Sequence, residues 1–365
     1  MICAQCSEPG PDDANVCPQC GDDPRLAARY RLDAVVGHGA QGTTYRATRL
    51  ADATVVAVKE LLVRKVESLK ALELFEREAR VLEQLEHPGV PRLFEDLQVD
   101  SGRSVALYLV QEFVEGQTLA NELAQRRPTT EDVFEVAAEL LDTLAYLHGL
   151  RPPVIHRDIK PTNVMRRASD GSLVLIDFGS VRAAIDTVEG GSTVAGTFGY
   201  MSPEQFMGRA IPATDVYGVG ATIVAALSGR DPQSLIGDDR TLQWRGRLGL
   251  DPTFAGILDR MLDPDPATRA NDAAELAALI RALLRGESVA IPAAPWDDAG
   301  IVPPAPRELP RDFRKVYAPS SRFGTVFGAF FFLVGLFVSA VPVGVGLTNG
   351  DLVPMLSSIP IFLVF

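Results

Sequence analysis

VIHRDIKPTNV, Val154 to Val164, sets an Asp, a Lys and an Asn within six positions, between two β-branched apolar ends. The pattern predicts a strand, a tight loop and a second strand, with Asp158, Lys160 and Asn163 presented from one turn. Such a set can run phosphoryl transfer: the carboxylate takes a proton from an attacking hydroxyl, the ammonium neutralises phosphate charge, and the amide oxygen ligates a metal ion. Fourteen residues after Asn163, the apolar run of LVLIDFGS ends in Asp177, a candidate second metal ligand.

Upstream, GHGAQG (Gly37, Gly39 and Gly42) lies between the strand-like YRLDAVV and VVAVK. Glycines let a hairpin lie close over phosphates with its N–H groups as donors. A dinucleotide fold would place a helix after the glycines, whereas TTYRATRLADATVVAVKE reads as two more strands, which excludes it. Lys59 closes the VAVK run and points a cation under the hairpin. The next segment is helix-like, with Phe75, Ala79, Leu82 and Leu85 on one face. It offers Glu78 as a carboxylate to hold Lys59 on the α- and β-phosphates.

These motifs in this order resemble the Hanks-type (eukaryotic-like) bacterial Ser/Thr protein kinases, over residues 29–285, about 70% of the chain. The resemblance implies an α+β, two-lobed kinase fold with a β-rich first lobe and a helical second lobe. It implies ATP with Mg²⁺ or Mn²⁺ on Asn163 and Asp177, and protein Ser/Thr hydroxyls as substrates. LYLVQEFVEGQTL resembles the hinge between lobes, with Gln111 as gatekeeper and Glu112 and Val114 offering main-chain bonds to adenine; Ala57 and Thr44 join the adenine site. Thr44 stands where the family usually has Val, a near-isosteric departure. GTFGYMSPEQ resembles the end of an activation segment, with Glu204 pairing with Arg269 and Thr197 hydrogen-bonding Asp158 and Lys160. TDVYGVG places Asp215 as a buried brace for the catalytic loop. Arg157 before the catalytic Asp implies control by phosphorylation, with Ser192 or Thr193 as autophosphorylation sites (Thr187 lies in the same segment), the phosphate pairing with Arg157 and Arg182. A homodimer would serve trans-autophosphorylation. The rival reading is a membrane-anchored nucleotide-binding pseudokinase scaffold; the presence of Lys59, Glu78, Asp158, Asn163 and Asp177 weighs against it. A small-molecule kinase is a further alternative, against which the SPE segment and Lys160-Pro161 speak. His38 reads as a solvent-facing tip residue, and His87, His148 and His156 as structural.

Every cysteine lies in the first twenty residues, as two CxxC pairs, Cys3/Cys6 and Cys17/Cys20, separated by ten residues. No signal-peptide pattern precedes them, which places them in a reducing cytosol and demotes disulfides. Four thiolates from two tight turns suit tetrahedral Zn²⁺, and residues 1–24 resemble a small zinc ribbon. A redox pair and an iron–sulfur site stay open as alternatives. Whether the ribbon caps the first lobe or serves as a docking or regulatory module is not legible.

Residues 286–322 are Pro-rich and read as an extended linker. Residues 323–347 read as a transmembrane helix: VFGAFFFLVGLFVSAVPVGVG is long enough to cross the hydrocarbon and carries no charge. Its Phe, Val and Leu residues contribute about -5 kcal/mol to insertion, offset in part by Gly and Pro342. Arg307, Arg311, Arg314, Lys315 and Arg322 precede it, so the positive-inside rule places the catalytic domain in the cytoplasm, with lipid as a partner. Residues 351–365 are a second apolar segment, either a re-entrant piece or an incomplete second span. The net charge of -12 argues against nucleic acid as a partner.

Overall fold

The computed structural model describes residues 1–39, 42–64, 79–100, 104–178, 182–183, 196–238 and 240–289. They fall in one compact unit, Met1–Pro303; the second unit, Pro304–Phe365, lies outside them. Glu78, Thr187, Ser192, Thr193, most of the Pro-rich linker and both apolar segments are therefore also outside the described residues. Among the described residues no helix is long and apolar enough to cross a membrane.

Alternating β-branched and polar residues build five antiparallel strands: β1 (Tyr30–Gly39), β2 (Gly42–Arg49), β3 (Val55–Arg64), β4 (Leu93–Asp100) and β5 (Ser104–Glu112). Their order in the sheet is β1-β2-β3-β5-β4, so β1 is an edge strand. The register pairs Thr44 with Lys59, Ala57 with Gln111, and Lys59 with Leu109, which sets Thr44, Ala57, Lys59 and Gln111 on one face. Val56, Val58 and Glu60 alternate onto the opposite face beside Tyr45, Tyr108 and Val110, all buried. A sheet apolar on both faces needs two covers. Ala79, Leu82 and Leu85 belong to the core on the Lys59 side, while Leu26, Tyr30, Ile2 and Ala4 pack with the other.

After β6 (Gly116–Thr118) the chain becomes mainly helical. Helices α1 (Leu119–Gln125) and α2 (Thr130–Gly149) each start on a threonine cap. Thr129 and Asp132 form a reciprocal capping box at 3.1 Å in each direction. Leu140, Leu141, Leu144 and Leu147 pin α2 to the core, each side chain contributing about 1.5–3 kcal/mol of burial. Pro152 and Pro153 follow its end. Short strands β7 (Val154–Ile155), β8 (Val164–Arg167) and β9 (Leu173–Leu175) frame the catalytic-loop sequence, with a 3-10 turn at Pro161–Asn163, and β10 (Arg182–Ala183) pairs with β7. Helix α3 (Pro203–Phe206) is one turn. Helix α4 (Pro212–Ser228) is buried from Ala213 to Ala226: it is apolar around most of its circumference, and its buried Thr214, Asp215 and Thr222 are hydrogen-bonded. Helices α5 (Pro252–Leu262) and α6 (Ala273–Leu284) complete the lobe, with α6 against α2.

Candidate active site

The loop between β7 and β8 gathers its polar groups by short bonds. Lys160 Nζ donates to Asp158 Oδ2 at 2.8 Å and to Thr197 Oγ1 at 2.6 Å, and the Thr197 hydroxyl donates to Asp158 Oδ1 at 2.8 Å. Asn163 Nδ2 donates to the Asp158 carbonyl at 2.8 Å and to Asp158 Oδ2 at 3.0 Å. With its amide nitrogen so engaged, the Asn163 side-chain oxygen is the group left to meet a cation.

Lys59 crosses from β3 to Asp177, with Nζ 2.7 Å from Oδ1. Burial pushes the Asp177 carboxyl up, but the Lys59 ammonium more than offsets it and holds the group below its ordinary value. Asn163 and Asp177 together supply hard oxygen donors, the chemistry Mg²⁺ or Mn²⁺ takes. Glu78 lies outside the described residues.

The frame beneath this loop is a buried carboxylate. Asp215, on α4, accepts the His156 amide at 2.9 Å, the Arg157 amide at 2.8 Å and a bond with His148 Nε2 at 2.9 Å. His156 is fully buried; its ring bonds the Ile176 carbonyl at 3.1 Å and meets Phe178 edge-on at 4.8 Å. Burial depresses its pKa. His87 accepts the Gly89 amide at 3.1 Å and stacks on Tyr146. His38 is exposed on β1, 3.4 Å from the Thr43 hydroxyl.

Two backbone features carry no signature in the sequence. Arg157 (φ 72) and Asp177 (φ 66) both sit in the left-handed region, a cost of about 1–3 kcal/mol each that the surrounding bonds must hold. Gln205 Nε2 donates to the Arg157 carbonyl at 2.6 Å, and Gly196 (φ 127) lets Thr197 approach: a Cβ there would lie 2.9 Å from that same carbonyl. Glu204 and Arg269 pair at 2.7 and 3.0 Å in the interior.

In the sheet, Gly37 pairs with Thr44, and Gly39 with Gly42. Gly42 (φ 146) is required by contact as well as by backbone: a Cβ would lie 1.8 Å from the Glu60 carbonyl oxygen. Glu112 donates its amide to the Arg92 carbonyl at 2.8 Å, so its own carbonyl is what it can offer a nucleotide; Val114 is buried two residues on.

The protein kinase domain family matches residues 30–283. The chain belongs to the protein kinase family. Serine/threonine-protein kinase B of Synechocystis is 36% identical over 277 residues, covering 71% of this chain and 47% of that protein. Serine/threonine-protein kinase PknA of Nostoc is 35% identical over 271 residues, 69% and 46% of the two chains, and pkn3 of Myxococcus xanthus 29% over 309 residues, 78% and 55%. Residues 30–283 are thus a protein-serine/threonine kinase domain. The chain spans about half the length of the curated relatives it matches.

Ahead of the kinase domain, the two CxxC turns repeat one geometry. Cys3 and Cys17 each accept from the residue four further on, Ser7 and Gly21, both at 2.9 Å. Each also donates to the carbonyl five further on, Glu8 and Asp22. The four sulfurs lie within 4.8 Å of one another, with Cys3–Cys20 and Cys6–Cys17 both at 3.7 Å. Tetrahedral zinc with Zn–S of about 2.3 Å requires sulfurs about 3.8 Å apart, so the cluster fits it. The Cys20 and Gln19 amides lower the Cys17 thiol to about 7.

Proposed function

We propose that this kinase transfers the γ-phosphate of ATP to serine and threonine hydroxyls of proteins at the cytoplasmic face of a membrane. The observation that carries the reading is the Asp158–Lys160–Thr197–Asn163 cluster, with Lys59 and Asp177 beside it. The substrate hydroxyl attacks the γ-phosphorus while its proton passes to Asp158, and the bond to the β-phosphate oxygen breaks, releasing ADP. Lys160 neutralises charge on the transferred group, Lys59 holds the α- and β-phosphates, and Glu78 steadies Lys59. Asn163 and Asp177 would hold Mg²⁺ or Mn²⁺, which offsets the phosphate charge when bound. Glu112 and Val114 anchor adenine, with Ala57 and Thr44 against its ring.

The uncharged run from Val326 to Gly346, with basic residues before it, supports anchoring of the chain in lipid. The four converging thiols support one structural Zn²⁺, whose binding folds a segment too short for its own core. Autophosphorylation at Ser192 or Thr193 belongs to the same proposal, through pairing with Arg157 and Arg182. The purified full chain with Mg²⁺ and ATP should label itself and a protein substrate, Asp158→Asn should not, and site mapping should find Ser192 or Thr193. Equal labelling by Asp158→Asn refutes the catalytic assignment. An unmodified segment in active enzyme refutes the control step, and recovery of the chain in the soluble fraction of lysed cells refutes anchoring.

A further inference from the structure

Strand β8 carries two arginines in succession, Arg166 and Arg167, and strand alternation sends them to opposite faces. Each takes a carboxylate, but the two carboxylates belong to different parts of the molecule. Arg166 Nε donates to both Glu122 oxygens, at 2.9 and 3.2 Å, which ties β8 to helix α1 within the helical lobe. Arg167 Nη1 donates to Glu112 Oε1, and Glu112 is the last residue of β5, in the five-stranded sheet. The first pair is internal to one lobe; the second joins the two lobes across the hinge.

The hinge is thus pinned to one strand at both ends. At its far end the Ala168 amide donates to the Glu115 carbonyl at 2.7 Å, and Gly116, paired with Arg167, has no room for a Cβ against the Arg166 carbonyl. At its near end Glu112 is clasped from two sides. Its amide donates to the Arg92 carbonyl at 2.8 Å, and its carboxylate accepts from the Arg92 amide at 3.5 Å as well as from Arg167. What β8 carries at its other end gives this pin its meaning. Asn163 directly precedes the strand, and β8 pairs with β9, which leads to Asp177 two residues past its end. Arg167 closes the turn between the two: its amide donates to the Ser172 carbonyl at 2.8 Å, and its carbonyl accepts from the Gly171 amide at 3.0 Å. One two-stranded ribbon therefore holds both candidate metal ligands at one end and, at the other, the arginine that grips the hinge.

We infer that Arg167 is a positioning residue for ATP: through Glu112 it fixes the hinge carbonyl that adenine meets against the Asn163 and Asp177 oxygens at the phosphate end. The inference rests on the nucleotide reading above, which assigns the Glu112 carbonyl to adenine. Without the Arg167 guanidinium, Glu112 keeps its clasp on Arg92 but loses its link to the ribbon. The adenine end of the site is then free to shift against the phosphate end. ATP spans both ends and loses affinity, whereas a ligand that touches the phosphate end alone does not. The Glu112 side chain is 29% exposed and that of Arg167 20%, so water weakens the pair without cancelling it, and the effect is modest.

The test compares Arg167→Gln with Arg166→Gln in the full chain. Each breaks a half-buried arginine–carboxylate pair on the same strand, so a merely structural role predicts the same effect for both. Arg167→Gln should raise KM for ATP about three- to fivefold, the upper range for an ion pair at this depth, while kcat and KM for a peptide substrate hold. Arg166→Gln should leave KM for ATP unchanged. Magnesium tripolyphosphate, read by displacement of a non-hydrolysable ATP analogue, should bind the parent and Arg167→Gln equally. Arg167→Lys keeps the charge and should recover most of the loss. Arg167→Gln combined with Glu112→Gln should be no worse than the poorer single variant. Unchanged KM for ATP in Arg167→Gln, an equal loss in Arg166→Gln, or weakened tripolyphosphate binding overturns the inference. Direct titration with the analogue separates this from the wider reading. A chain that binds the analogue but transfers no phosphate overturns the transfer reading, and the affinities of the two variants still decide the role of Arg167. A chain that binds no nucleotide overturns both.

Discussion

Arg269 holds the interior end of the activation segment, and its removal should be among the costliest single changes in the helical lobe. Its guanidinium makes five bonds: to both oxygens of Glu204 at 2.7 and 3.0 Å, and to the carbonyls of Asp263, Ala213 and Pro264 at 2.7, 3.0 and 3.4 Å. Both partners are 2% exposed, so water cannot replace what is lost. Burial pushes the Glu204 carboxyl up, yet Arg269 holds it below its ordinary value. Arg269→Met leaves an uncompensated buried carboxylate with Thr214 at 3.0 Å as a remaining donor. Breaking a buried pair from one side costs about 3–5 kcal/mol, against a total of about 5–15 for a folded domain. For a domain of this size that is a fall in melting temperature of about 6–20 °C. Urea titration followed by fluorescence reports it, since Trp244 is buried in the same core. Glu204→Gln should also destabilise, and the double variant should cost at least about 1 kcal/mol less than the two singles added. The pH dependence has a defined sign: a depressed carboxylate contributes stability above its unfolded pKa of 4.5, which is lost as pH falls through the folded value. The Arg269→Met protein should lose that acid sensitivity. Single variants within about 1 kcal/mol of the parent, or strict additivity, refute the reasoning.

Thr197→Ala removes the bonds at 2.8 and 2.6 Å that hold Asp158 and Lys160, and steady-state assays should show kcat down about 10–100-fold, with Thr197→Ser restoring most of it. Gly42→Ala drives a Cβ into the Glu60 carbonyl, so KM for ATP should rise about tenfold or more while KM for a peptide substrate stays, by initial-rate kinetics. His156 resists protonation in the folded state, so the unfolded chain binds the extra proton; stability should decline as pH falls below about 6.5, by at most about 1.4 kcal/mol per pH unit, in urea titrations across that range. Asp215→Asn should weaken the bonds of the His156 and Arg157 amides and His148, lowering both the melting temperature and kcat.

The parts of the site that could be read from sequence are those in which chemistry is dense along the chain. Asp158, Lys160 and Asn163 sit on one turn, so their spacing alone brings them together, and strands β1 to β3 follow from alternation and glycine placement. What could not be read depends on contacts between distant residues. Lys59 meets Asp177 across 118 positions, and Tyr108 meets Glu60 across 48. Glu60 follows Lys59 directly, and nothing in VAVKE says that one of these two charges is sealed in an apolar face. The left-handed backbone at Arg157 and Asp177 is equally silent: arginine does not favour it, and aspartate, which tolerates it, adopts it at few of its positions. The cysteine spacing suggested a metal cluster, but the side of the sheet it would cover depends on Ile2 meeting Leu32.

That cover separates two boundaries that are easily taken for one. The family match begins at Tyr30, the first residue of β1, whereas the buried face of the same sheet is completed by residues that come before it. The unit recognised by likeness to other kinases is therefore smaller than the unit that shields its own apolar surface. A truncation at residue 29 that keeps every catalytic motif would bare Tyr45, Val58, Tyr108 and the Glu60 carboxylate to water, together with an unpaired sheet edge of the kind that recruits other chains. Inheritance and folding divide this chain at different places.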